Sequence, residues 1–176
     1  MVLVSLDGEI LENNLKPSSD TKTHIELYKA FPEIRGIVHT HSRYATVIAQ
    51  SLFDLKCIGT THADYFYGDI PCTKKISNKA ISGKYEEEIG LLIAETFKER
   101  KIDYHYMKAC LVASHGPFTW GLDLDEAVFT AIILEEIAKQ YYLTKALNSE
   151  VKSIQKNLIK KHYFRKHGID AYYGQN

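Results

Sequence analysis

Between Tyr85 and Lys101 the apolar residues Ile89, Leu92, Ile93 and Phe97 recur at intervals of three and four. That interval puts them on one stripe of a helix, so residues 85–101 are predicted to pack an amphipathic helix on a core. A long helix is predicted through Ala127, Ile132, Leu134, Ile137 and Tyr141, capped by Asp123 or Asp125. Ile25 and Tyr28 predict a helix over 20–31, capped by Asp20 or Thr21 and ended before Pro32. A short helix is predicted over 42–50, and a last one over roughly 150–166, stopped by Gly168.

Strands are predicted in the compact apolar runs between these helices. They cover 2–6 (followed by the Asp7-Gly8 turn), 36–41, 55–59, 70–73 and 109–114. Pro71 favours an edge or a strand end for 70–73. Gly116 and Pro117 are expected to turn the chain just beyond 109–114, and the polar, aromatic stretch 60–68 reads as loop. No repeat or linker interrupts the mixture. Helices covering a sheet in one α/β domain over 1–176 is the expected fold.

Composition narrows the function. The 176 residues are 45% hydrophobic and 25% charged, with a formal net charge of zero. No global field recruits nucleic acid or an anionic membrane. The basic run 156–166 also contains Leu158, Ile159, Tyr163 and Phe164, so it reads as the wet face of a helix. No apolar run has the length of a membrane span, and no signal peptide follows Met1. Cys57, Cys72 and Cys110 form no C-x-x-C, which suits reduced thiols in a cytoplasmic protein.

The candidate chemistry lies at strand ends. His39 and His41 are two apart in an extended segment, so both imidazoles leave one face. His115 ends another strand. Three neutral imidazoles with an open position suit a catalytic divalent metal, whereas the plainer alternative is three hydrogen-bonded histidines. A metallo-β-lactamase-like site would want further Asp and His after the pair, where Ser42 and Arg43 stand. A cupin would want a Glu before Gln50, and none occurs. Lys16-Pro17-Ser18-Ser19-Asp20 opens a helix and can hold a phosphate, or can be a plain N-cap. His62-Ala63-Asp64-Tyr65 and Tyr172-Tyr173 complete the candidates.

These segments also form a family pattern. KPSSDTKTH, GIVHTHSRYAT, GTTHADYFYGDIPCT, SHGPFTWG and the KHYFRKHG-to-YYGQ tail resemble the L-ribulose-5-phosphate 4-epimerases of the class II aldolase and epimerase superfamily. The resemblance runs in order from about Val2 to Gln175. It implies a three-layer α/β/α fold with a central, largely antiparallel sheet. It implies Zn2+, or another divalent cation such as Mn2+, on His39, His41 and His115, with Asp20 as an additional ligand. Ser18 and Ser19 match part of a phosphate pocket, Asp64 and Tyr173 an acid/base pair, and Thr60, Glu86 and His162 supporting positions. The implied partners are a phosphorylated pentulose and other copies of the chain, in a homotetramer with sites between subunits. The implied reaction interconverts L-ribulose 5-phosphate and D-xylulose 5-phosphate; a class II aldolase, or an inactive remnant or assembly subunit, is the alternative. Family members carry Gly-Asn-Val-Ser and Lys-Pro-Ser-Gly segments ahead of the first strand here. Their absence leads to the expectation of a domain lacking its first strands, with an incomplete phosphate pocket and poor activity alone.

Overall fold

The computed structural model describes residues 1–12, 15–169 and 171–173. Of the aromatic tail, Asp170 and residues 174–176 lie outside the described residues. In chain order the elements are β1 (Leu3–Val4), β2 (Ile10–Glu12), α1 (Thr21–Ala30), β3 (Gly36–His39), α2 (Arg43–Gln50), α3 (Thr60–Ala63), α4 (Asn78–Ile81), α5 (Tyr85–Arg100), β4 (Ala109–Val112), β5 (Gly116–Gly121), α6 (Leu124–Leu147) and α7 (Lys156–His167).

The main sheet has the order β3-β5-β4 and is antiparallel throughout. His39 lies opposite Phe118, and Val112 opposite Gly116. Alternation along β5 sends neighbouring side chains to opposite faces. Thr119 points to α6 and donates its hydroxyl to the Ala127 carbonyl at 3.1 Å. Phe118 and Trp120 point the other way. Phe118 meets His24 of α1, and Trp120 packs on Phe31 at 5.1 Å and on Phe97 of α5 at 5.2 Å. Helices α1 and α5 therefore cover one face, and α6, with α2 beside it, the other. This is the expected α/β/α layering around a largely antiparallel sheet.

Trp120 is 1% exposed and donates its indole N–H to the Tyr104 carbonyl at 2.9 Å. Burying each large apolar side chain of this cluster stabilises the fold by about 2–3 kcal/mol. On the far side of the cluster α1 and α5 approach very closely. A Cβ at Gly90 would lie 2.7 Å from Glu26 Cβ and 2.8 Å from the Thr23 carbonyl oxygen. The Thr23 hydroxyl donates to the Glu86 carbonyl at 2.6 Å, tying the start of α1 to the first turn of α5. The three cysteines are all free, and burial pushes the thiols of Cys57 and Cys72 up to about 12 and about 11.

Several local expectations are corrected. Gly116-Pro117 does not turn the chain; it opens β5, which the apolar pattern had not separated from β4. The turn falls earlier, at 113–115, where Ser114 has φ 63. Pro117 is tolerated because the β3 ladder ends at the His39–Phe118 pair, so the missing N–H interrupts nothing there. Residues 55–59 and 70–73 reduce to single bridges, Leu55–Ile70 and Cys72–Leu111. Residues 60–63 form a helical turn rather than loop. Strand 2–6 shortens to β1, which pairs with an unanticipated β2 around the Asp7-Gly8 turn. α4, also unanticipated, is capped by the Ser77 hydroxyl. Asp123 rather than Asp125 caps α6. α7 begins at Lys156 rather than near 150, because the Ile154 N–H is engaged by the Cys57 carbonyl at 3.0 Å.

Candidate functional site

The three histidines meet because β5 lies between β3 and β4. The β4–β5 turn carries His115 and so falls beside the end of β3. There His39 and then His41 leave the extended chain on one side. The positive φ of Ser114 folds the turn tightly enough for the His115 N–H to reach the Val112 carbonyl at 3.0 Å. Gly116 is required by the space available. A Cβ there would stand 2.8 Å from the Thr40 carbonyl oxygen and 3.2 Å from His41 Cδ2. One nitrogen of each ring lies within 4.8 Å of the other two. The rings meet edge-on, with centroids 5.0, 4.8 and 4.9 Å apart.

The electrostatics suit a cation. His39 stacks on Phe118 at 4.1 Å, and its Nδ1 lies 2.9 Å from the Pro117 carbonyl oxygen. A carbonyl only accepts, so Nδ1 is assigned the hydrogen and Nε2 the lone pair. Burial lowers the pKa of His39, against the Pro117 bond and the charge of Asp20, which raise it. Burial also lowers that of His115, helped by His39 and His41. Both rings are thus held in the neutral, ligating form. His115 Nδ1 is buried and has no hydrogen-bond partner among the described residues. Neutral imidazoles around such an orphaned nitrogen fit a zinc-like ion.

Asp20 occupies the N-cap position of α1 but makes no side-chain cap. Its charge raises the pKa values of His24, His39 and His115 against the lowering effect of burial. Its carboxylate is not among the ligating atoms that lie within 4.8 Å of one another. His24, which sequence reasoning passed over, lines the same region edge-on to Phe118 at 6.2 Å, and burial lowers its pKa. Ser18 and Ser19 lie just ahead of α1. The Ser18 hydroxyl accepts from the Asp20 N–H at 3.3 Å, and its carbonyl accepts from the Thr21 hydroxyl at 2.7 Å. Glu86 lies in the first turn of α5.

A second cluster forms where α3 packs on α7. Asp64, at the C-terminal end of α3, accepts from His162 Nδ1 at 2.9 Å. Arg165 grips both of its carboxylate oxygens, at 2.9 and 3.0 Å from Nη2. His167 Nε2 donates to the Asp64 carbonyl at 2.8 Å. The Tyr173 ring lies 4.5 Å from the Arg165 guanidinium, and its N–H bonds the Arg165 carbonyl at 3.0 Å. Thr60 starts α3, and its carbonyl accepts from the Asp64 N–H at 2.9 Å. Sequence reasoning named Asp64, His162 and Tyr173 but not Arg165 or His167. The available signal was spacing: His162 and Arg165 are one helical turn apart and share a face, in a run read only as solvated charge. Among the described residues no hydrogen bond, ion pair or ring contact joins this cluster to the three imidazoles.

Residues 1–142 match the family described as the class II aldolase and adducin N-terminal domain. The chain is 45% identical over 175 residues to an L-ribulose-5-phosphate 4-epimerase UlaF of Salmonella paratyphi C, covering 99% of this chain and 76% of that protein. The UlaF of Salmonella choleraesuis matches equally well. Among solved structures, an L-fuculose 1-phosphate aldolase superposes with a TM-score of 0.74 at 20% identity, over 94% of this chain and 71% of that one. The L-fuculose-1-phosphate aldolase of Thermus thermophilus superposes with a TM-score of 0.64 at 26% identity, over 85% and 71%. By sequence and by fold, the chain belongs to the class II aldolase family.

Proposed function

We propose that this protein is a divalent-metal-dependent sugar-phosphate epimerase that interconverts L-ribulose 5-phosphate and D-xylulose 5-phosphate. One observation carries the reading: three imidazoles converge at the end of an antiparallel sheet, in a chain 45% identical over 99% of its length to named epimerases. His39, His41 and His115 would hold the ion, with Asp20 completing the site as a negative charge or further ligand. When bound, such an ion supplies Lewis acidity toward a ketone oxygen.

The carbon to be inverted bears no acidic C–H, so direct proton removal is a poor route. Cleavage of the C3–C4 bond yields a three-carbon enediolate and glycolaldehyde phosphate. Turning the aldehyde and re-forming the bond on its other face gives the epimer. Cleavage releases the C4 hydroxyl proton, and re-addition returns one to the same oxygen from the opposite side. Asp64 and Tyr173 are assigned these two transfers. Arg165 and His162 hold the Asp64 carboxylate in place, and Thr60 and Glu86 are placed as supporting groups. Ser18 and Ser19 are assigned to the phosphate, which must be retained while the aldehyde turns.

The acid–base cluster and the imidazoles make no contact among the described residues of one chain, and we infer that a second copy brings them together. The exposed apolar residues Leu124, Val128, Phe129 and Ile132 on α6, each 43–61% exposed, support self-association.

The test is a coupled assay of purified protein supplied with Zn2+ or Mn2+, measuring D-xylulose 5-phosphate and glycolaldehyde phosphate separately. Epimer without free aldehyde is expected, and chelation should abolish it. Net release of glycolaldehyde phosphate would reassign the chain as an aldolase. No turnover of either kind by a metal-loaded protein would overturn the reading.

A further inference from the structure

Helix α2 begins two residues after His41, yet its N-cap residue Ser42 makes no side-chain capping bond. The first-turn donors are met from another helix. Glu135 of α6 accepts from the Tyr44 N–H at 2.9 and 3.1 Å through its two oxygens, and from the Ala45 N–H at 2.9 Å. These are charge-assisted bonds at the positive end of the α2 dipole, stronger than a neutral hydroxyl cap would give.

The two ends of α2 join the segments that flank His41 and His115. At its start the chain passes from His41 through Ser42, whose carbonyl accepts the Thr46 N–H at 3.0 Å. At its end the Ala49 carbonyl accepts the Ser114 N–H at 3.1 Å, and Ser114 is the positive-φ residue directly before His115. α2 is therefore a strut between the segment that carries His41 and the turn that carries His115. Glu135 pins the N-terminal end of that strut to α6.

We propose that Glu135 is a positioning residue for the metal centre: by capping α2 from α6 it sets the separation of His41 and His115. The inference rests on the metal-binding reading above. A purely local role would be helix stability alone, and the test separates the two.

The substitution is Glu135→Gln, which keeps the size and one acceptor oxygen but removes the charge and the second acceptor. Zinc affinity is measured by competition with a chromophoric chelator, the visible spectrum is recorded with Co2+, and the thermal stability of the metal-free protein is followed. The control is Ile137→Val, which trims a buried apolar side chain of the same helix and leaves the Glu135 carboxylate in place. Glu135→Gln is expected to weaken zinc binding about tenfold, in the range seen for groups that orient ligands, and to alter the Co2+ spectrum. Ile137→Val should lower stability while leaving zinc affinity within about twofold. If Glu135→Gln fails to fold, Glu135→Asp, which keeps the charge but loses reach, is expected to give the same weakening. Unchanged affinity in the Glu135 variants, or equal weakening in Ile137→Val, overturns the proposal while the metal site stands. A wild-type protein that binds no zinc overturns the metal reading and this inference with it.

Discussion

Acidification is expected to destabilise the protein through His62. This ring is 4% exposed, and its Nε2 donates to the Gly68 carbonyl at 2.8 Å, closing the segment that presents Asp64. Burial lowers its pKa from 6.5 to about 4, against the Gly68 bond and the charge of Asp69, which raise it. The folded ring stays neutral down to about pH 4, whereas the unfolded ring takes up a proton near 6.5. Between those values the unfolded chain binds more protons, so stability rises with pH there. The contribution is fully present above pH 6.5, falls as the pH drops toward about 4 and is flat below it. A shift of that size corresponds to about 3 kcal/mol, a large fraction of the stability of an ordinary domain. Denaturant unfolding of the metal-free protein from pH 7.5 to 4 measures it, with His62→Gln as the comparison. The glutamine amide can still donate to Gly68 but cannot titrate. His24, His39 and His115 are also held below their ordinary value, but they titrate in both proteins and cancel in the difference. The wild type should lose about 3 kcal/mol more than the variant across this range. Parallel pH profiles would show that burial of His62 carries no such linkage.

Replacing His115 by Ala should weaken zinc binding by about a hundredfold or more and remove the thermal stabilisation that zinc gives, both read by calorimetry. Asp64→Asn and Tyr173→Phe should each lower epimerisation about a hundredfold with zinc content unchanged, as checked by steady-state kinetics and metal analysis. If the site is shared between copies, mixing those two variants after subunit exchange should restore part of the activity; no rescue would place both halves in one chain. Gly116→Ala should force the Thr40 carbonyl and the His41 ring to retreat, costing about 1–3 kcal/mol of stability and loosening metal binding. Full retention of both properties would show that the contact relaxes freely.

What was legible in the sequence followed periodicity. The stripe through Ile89, Leu92, Ile93 and Phe97 and the run through Leu134, Ile137 and Tyr141 became buried helix faces, because each residue alone carries enough apolar area to orient its turn. The H-x-H spacing marked the three-histidine cluster because a period of two is a property of extended backbone. β5 was missed because Gly116 and Pro117 are turn formers by local preference. Here the left-handed Ser114 had already made the turn, and the sheet demanded a close approach that only glycine allows. Glu135 and His167 were invisible for a different reason. Their roles come from groups ninety or more positions away, and no local pattern encodes such a partner.

Trp120 is the only tryptophan in the chain, seated beneath Phe31 and Phe97 on the strand whose Phe118 carries the ring of His39. The protein therefore contains a single indole fluorophore at the junction of its core and its three-histidine cluster. Excited selectively over the twelve tyrosines, it should emit to the blue of an exposed indole. Loss of the sheet would appear as a red shift, without any attached dye. Any change in its emission on metal addition arises at one known position, which makes β5 an optical gauge of how the site and the core communicate.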